Sequence, residues 1–272
     1  MKILVVDRDE MSASLLKSRL EPLGHAVTYS PAKNDAADEF TKVDFDIVFV
    51  DPSPSTNPKP MVVNLRRQIR YNPYMVLMSE GFSEEAALGF GFNDYLPKPM
   101  DLSTIDQKVE NAKSFLGIVQ HLRDGSQDFP SAGGIIAKSA INQLFLSCID
   151  RADRYAEKTY ALFIGLQNFK QIAVESGPYE AEVAGARMAQ HIVRLRRASD
   201  IIGQISTNEY ALLLLRPVDA QEPIEAAGRF ADSLANCHDI LTKPDMKVEI
   251  GVRLVEIPSG ARLAEHSVIL KN

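Results

Sequence analysis

Three short apolar runs in the first third of the chain, KILVV (Lys2 to Val6), FDIVFV (Phe45 to Val50) and YMVLM (Tyr74 to Met78), limit its folding more than any other feature. Each is bounded by acids, proline or serine, and the segments between them show helical spacing, as at Met11, Leu15, Leu16 and Leu20. A strand that is apolar along its whole length needs cover on both faces. The alternation therefore predicts a doubly wound parallel sheet with helices on each side. Ligands of such sheets bind outside the carboxyl ends of the strands. Asp7, Asp51, Ser79 and Lys98 stand at or beyond those ends and form a polar cluster.

A chain of 272 residues exceeds one such domain, which predicts a second with its own core. TYALFIGL (Thr159 to Leu166), DIIGQI (Asp200 to Ile205), EYALLLL (Glu209 to Leu215) and MKVEIGVRLVEI (Met246 to Ile257) read as strands, the middle two as a hairpin with three residues between them. YEAEVAGARMAQHIVRLRR and PIEAAGRFADSLANCHDIL read as the intervening helices. Between the halves, Ile105, Val109, Ala112, Leu116 and Val119 make one apolar stripe on a long helix. That stripe suits packing on both domains or a dimer stalk. The Gly-, Ser- and Pro-rich DGSQDFPSAGG follows, so the expected domains are 1–123 and 135–272, with 124–134 as linker.

A net charge of −6 argues against nucleic acid or an anionic membrane as the main partner. No apolar run reaches 18 residues and no signal peptide is visible, so a cytoplasmic protein is expected. Cys148 and Cys237 are read as core thiols, His191 as a core or surface residue of its helix and not a ligand, and His121, His238 and His266 have no metal-ligand spacing.

With these strands and end residues, the first domain resembles the receiver of two-component response regulators, a five-stranded flavodoxin-like fold. The resemblance implies that Asp51 is the phosphoacceptor, Ser79 the switch hydroxyl, Tyr95 the aromatic switch residue and Lys98 the phosphoryl-pairing lysine, with a cis Pro99 after it. It also implies a magnesium site at Asp7 and Asp51, and a histidine kinase or phosphotransfer protein as partner. VVDRDE departs from the family, because Arg8 replaces a second acid that ligates the metal. A guanidinium repels a cation, and Arg8 is read instead as a partner for Asp51.

DIIGQISTNEYALLLLRP resembles the surroundings of the GGDEF signature of diguanylate cyclases, a nucleotidyl cyclase-like α/β domain with a central mixed sheet. The resemblance places Gly165 at the first metal aspartate, Asn208 at the acid in the middle of the signature, and Ala173 at the guanine-reading asparagine. Ser206 and Thr207 stand at the two glycines, while Glu209 and Glu182 retain carboxylates. A domain without enzymatic activity is expected. Arg197-Ala198-Ser199-Asp200 is an RxxD at the spacing of the family's inhibitory site, and Arg229 matches its third member. Arginine donors paired with a carboxylate suit the edge of guanine. The resemblance thus implies cyclic di-GMP as ligand, with Arg194 adding charge for its phosphates, in a homodimer that signals to a protein partner. Two other classes stand beside this one: an interaction scaffold without a ligand, and a phosphorelay receiver with an inert appendage.

Overall fold

A computed structural model of the chain describes residues 1–31, 43–68 and 73–271. It divides into two compact units, one of Met1–Gly117, Ile149–Glu157 and Pro258–Gly260, the other of Ile118–Cys148, Lys158–Ile257 and Ala261–Asn272.

In the first unit the apolar runs become β1 (Lys2–Val6), β3 (Ile47–Val50) and β4 (Tyr74–Ser79), joined at the edges by β2 (Ala26–Ser30) and β5 (Asp94–Pro97). Every pairing is parallel and the order is β2-β1-β3-β4-β5, the flavodoxin-like arrangement. All of β3 and β4 is buried, as a strand covered on both faces requires. Each fully buried Val, Leu or Ile contributes roughly 1.5–3 kcal/mol. Helices α1 (Glu10–Leu20), α2 (Lys59–Gln68) and α3 (Glu84–Gly89) lie between the strands in sequence. Asp9 caps α1 by accepting from Met11 N at 3.0 Å and from Ser12 Oγ at 2.7 Å. Those bonds hold its carboxyl below the usual range.

Helix α4 (Leu102–Arg123) is continuous. Asp101 caps it through Ser103 Oγ and Thr104 N, and these hydrogen bonds hold its pKa to about 2. Its buried stripe runs through Ile105, Val109 and Ala112 as the spacing predicts, but continues at Phe115 instead of Leu116.

The second unit contains most of α5 (Lys138–Tyr155), then β6 (Thr159–Leu166), α6 (Phe169–Glu175), α7 (Pro178–Leu195), β7 (Ile201–Ser206), β8 (Glu209–Leu214), α8 (Glu222–Ala235), a 3-10 turn at His238–Ile240, β9 (Val248–Ile257) and β10 (Arg262–Leu270). The sheet order is β10-β9-β6-β8-β7. It is antiparallel throughout and not mixed, because the central β6 is flanked by β8 and β9, both running against it. Among the described residues of this unit, the one parallel pairing is the isolated bridge from Ile136 to Gly203. One face packs on α7 and α8 through residues such as Leu162, Met188, Leu212, Phe230 and Val252. Gly203 is required on the other side: a Cβ there would lie 2.6 Å from Ile141 Cβ on α5.

Two details differ from the sequence reading. The β7–β8 tip has two residues, Thr207 and Asn208, because β7 extends through Ser206. The last segment, which carries no assigned element in the sequence reading, is an edge strand paired along β9. Among the described residues, no helix is long and apolar enough to cross a membrane.

Candidate functional site

The parallel register brings the strand ends of the first unit to one edge. Lys98 Nζ donates to Asp7 Oδ2 at 2.7 Å and also to Asp51. Asp51 accepts a second bond from Ser53 N at 2.8 Å. Burial pushes the Asp51 carboxyl up, but the bonds from Lys98 and Ser53 outweigh it, and the net shift is downward. Burial likewise pulls the Lys98 ammonium down, while Asp51 and Asp7 reverse the sign and leave it raised. Ser79 Oγ accepts from Gly81 N, and Tyr95 Oη donates to the Ser79 carbonyl at 2.9 Å. The Lys98–Pro99 peptide is cis, as the resemblance implied.

Arg8 does not pair with Asp51. It is exposed, and the cation that reaches Asp51 is Lys98 from the far end of β5. Magnesium is commonly held by one or two carboxylates with waters completing its shell. Asp7 and Asp51 fit that minimum, with Lys98 competing for the same oxygens.

In the second unit the signature tip closes on itself. Asn208 Nδ2 donates to the Leu166 carbonyl at 2.7 Å, Leu166 N returns a bond to the Asn208 carbonyl at 2.9 Å, and Ser206 Oγ donates to Asn208 Oδ1 at 3.1 Å. The polar triplet thus serves as the hydrogen-bonding set of its own turn. Beside it lies a cleft of about 260 Å³ lined by Gly165, Gln167, Asn208, Glu209, Arg253 and Glu265, among others. Glu209 faces His121 at 3.7 Å and Arg253 at 4.0 Å. A Cβ on Gly165 would lie 3.0 Å from the Asn208 carbonyl and 3.1–3.2 Å from the Glu209 side chain. Ala173 and Glu182 are not brought to this cleft: Ala173 packs on the core and Glu182 is exposed.

A second cleft, of about 190 Å³, opens where α7 ends. Arg197, Asp200 and Arg229 all line it, so three of the four residues singled out in the sequence come together. Asp200 is only 6% exposed. Its Oδ2 accepts from Arg197 N at 2.9 Å, its own N–H donates to the Arg197 carbonyl at 3.1 Å, and Arg196 Nη1 donates to its carbonyl at 2.8 Å. The RxxD is therefore a hydrogen-bonded turn as well as a pair of charges. Arg194 is exposed and does not line the cleft, because it belongs to the last turn of α7, before the chain bends.

Two lining residues escaped the sequence reading. Glu222 forms an ion pair with Arg197 and accepts from Val218 N at 2.6 Å. Its only signal was a place in the first turn of α8, where an acid is ordinarily a match for the helix dipole. Arg216 carries a left-handed backbone, φ 51°, which a non-glycine residue adopts at some cost and which often marks a functional segment. Leu215, Pro217 and the 91% exposed Val218 give the rim an apolar surface. Three guanidiniums, two carboxylates and an apolar rim suit a planar, anionic ligand.

Residues 131–267, about half of the chain, match the family model described as "Diguanylate cyclase, GGDEF domain". No curated protein matches the chain. Among solved structures, a two-component response regulator from Clostridium difficile is 23% identical, covering 47% of this chain and 99% of its own, with a TM-score of 0.38. The receiver domain of Francisella response regulator 1452 is 24% identical, covering 41% and 94%, with a TM-score of 0.37. The GGDEF domain of YfiN from Pseudomonas aeruginosa is 18% identical, covering 44% and 74%, with a TM-score of 0.38. At such identities and scores these likenesses carry no functional weight. The fold of each unit stands on its own strand order and register.

Proposed function

Because the chain belongs to the GGDEF domain family, we propose that it is a catalytically silent member that binds cyclic di-GMP at the second cleft and passes the binding on to a protein partner. The observation that carries this reading is the convergence of Arg197, Asp200 and Arg229 on one cleft. Arginine can donate twice to guanine O6 and N7, and a carboxylate can accept from guanine N1 and N2. The ligand acts by binding one arrangement of the protein better than another, which any population shift requires.

The first cleft supports catalytic silence. Joining two GTP molecules needs cations over the triphosphates and carboxylates to hold those cations. Gly165 and Asn208 offer none, Glu209 is turned toward His121 and Arg253, and Glu265 is the one further carboxylate lining the cleft among the described residues. The receiver-like unit supplies an input: Asp51 accepts a phosphoryl group from a histidine kinase or phosphotransfer protein and Lys98 pairs with it, while Asp7 and Asp51 would hold the magnesium that offsets charge on the phosphoryl oxygens.

Titration calorimetry of the full chain with cyclic di-GMP tests the reading. Heat of binding is expected for wild type and its loss in Arg197→Ala and Arg229→Ala. No heat for wild type, or affinity unchanged in both variants, overturns it. The Arg197–Glu222 ion pair favours one competing reading, a scaffold that binds no small molecule, because it satisfies Arg197 internally. Steady cyclic product from GTP and magnesium would overturn catalytic silence.

A further inference from the structure

Away from both clefts, three potential metal ligands meet that neither sequence spacing nor the family signature brings forward. His191 lies on α7, Cys237 follows α8, and Asp239 belongs to the 3-10 turn His238–Ile240. One ligand atom from each lies within 4.8 Å of the others. His191 Nε2 is 2.9 and 3.0 Å from the two carboxylate oxygens of Asp239. From the geometry we infer that His191, Cys237 and Asp239 form a binding site for a zinc-like divalent cation.

The donor set selects the metal class. Thiolate, imidazole and carboxylate together suit a borderline-soft cation, not magnesium or calcium, which take oxygen. Zinc sits about 2.0–2.3 Å from such ligands in a tetrahedron, which puts the ligand atoms roughly 3–4 Å apart. The three atoms lie within 4.8 Å of one another, so shifts of no more than about 1–2 Å bring them to that spacing. A histidine–aspartate ion pair alone would account for His191 and Asp239 but not for the sulfur beside them.

Assembly needs small changes. Cys237 Sγ now donates to the Ser233 carbonyl at 3.2 Å, and binding exchanges that contact for the metal–sulfur bond. The thiol proton leaves to solvent as the bond forms, and a proton carried on His191 Nε2 passes to Nδ1 or to solvent so that the nitrogen lone pair meets the cation. Burial, then the nearby Asp239 charge, hold the thiol above its usual value, which opposes deprotonation. The thiolate and carboxylate then neutralise the cation between them. Arg187 is the opposing charge; its Nη1 donates to the Asp239 carbonyl at 2.5 Å and approaches the Leu241 carbonyl, which fixes the turn while leaving the Asp239 side chain available. The His191 side chain is 18% exposed and that of Asp239 64%, so a cation can enter from solvent and keep a fourth position for water.

Such a site would tie the C-terminal part of α7 to the segment that follows α8. The inference is independent of cyclic di-GMP.

The test uses the full chain stripped with a chelator and titrated with Co²⁺, then Zn²⁺. One equivalent of Co²⁺ is expected to bind with a thiolate-to-cobalt charge-transfer band and tetrahedral ligand-field absorption, both displaced by Zn²⁺. Cys237→Ser should lose the charge-transfer band, and His191→Ala should lose stoichiometric binding. Asp239→Asn, at an exposed position where folding is not at stake, should weaken binding with an unchanged circular dichroism spectrum. Absence of Co²⁺ binding, binding without a thiolate band, or unaltered binding in Cys237→Ser would each overturn the site.

Discussion

The GGDEF unit carries two clefts whose charged linings differ. The cleft beside the signature, about 260 Å³, has an asparagine that bonds to its own backbone neighbours and a glutamate engaged by His121 and Arg253. The cleft at the end of α7, about 190 Å³, holds arginines 197, 216 and 229 against Asp200 and Glu222. The first presents Glu209 and Glu265 as its carboxylates, with Glu209 set against His121 and Arg253. The second keeps charges that a guanine dinucleotide could use. On the function proposed above, catalysis and recognition would depend on different strand and helix ends, so that one could be lost without the other.

The sharpest way to break this contrast is to remove Arg197. A bidentate contact to guanine contributes roughly 1–3 kcal/mol of discrimination. Arg197→Ala is therefore expected to weaken cyclic di-GMP binding by about ten- to a hundredfold in calorimetry. Arg194→Ala, outside the cleft, should change affinity little. Equal losses in both variants would point to diffuse electrostatic attraction and erase the distinction between the clefts.

Much of this was legible in the sequence because it rests on local patterns. The largely apolar KILVV, FDIVFV and YMVLM read as buried strands, and their ends placed Asp7, Asp51, Ser79 and Lys98 at one edge. The RxxD register against the hairpin brought Arg197, Asp200 and Arg229 to one cleft. What stayed hidden depends on distant partners. Glu222 looked like a helix-start acid until folding set it against Arg197, 25 residues away. Arg8 seemed placed to pair with Asp51, but Lys98 arrives there from another strand. Asp239 and His191, 48 residues apart, meet only through packing of the turn on α7.

The receiver-like edge lies between the two clefts in kind. It brings Asp7, Asp51 and Lys98 together, with Arg8 where the receiver resemblance implies a second acid. Arg8 is exposed and makes no ion pair with Asp51, so an aspartate there would meet no crowding. Restoring a third oxygen ligand and removing a repelling guanidinium should strengthen metal binding beside Asp51. Arg8→Asp is expected to raise acetyl phosphate labelling in magnesium by about tenfold, given that a bound cation supplies several kcal/mol in such transfers. The label should disappear in Asp51→Asn. Labelling that Arg8→Asp leaves unchanged would show that the edge is as closed as the signature cleft.

A smaller effect separates a vacant recognition cleft from one held shut. Glu222 must release Arg197 before the guanidinium can meet a base. Arg197 is more than half exposed, so the pair is screened and worth about 0–1 kcal/mol. Glu222→Gln should therefore tighten cyclic di-GMP binding, by no more than about fivefold. Weaker binding in that variant would mean that Glu222 itself accepts from guanine N1 and N2, making it part of recognition.

The smallest expected change is none at all, and it bears most directly on what distinguishes the clefts. If the signature cleft lacked only its carboxylates, returning them through Gly165→Asp with Asn208→Asp should recover cyclisation of GTP. The geometry opposes this. A Cβ on residue 165 would sit 3.0 Å from the carbonyl of residue 208 and within 3.2 Å of the Glu209 side chain, across a register in which Gly165 is paired directly with Glu209. Relief requires the backbone at the tip or Glu209 to move. Asn208→Asp also removes the amide that donates to the Leu166 carbonyl, placing a carboxylate against a carbonyl oxygen. The double variant is expected to melt below wild type in a thermal scan and to give no cyclic product with GTP and magnesium, while Arg8→Asp melts near wild type. Product formation by the double variant would reduce the contrast between the clefts to two side chains, in place of a tip rebuilt around their absence.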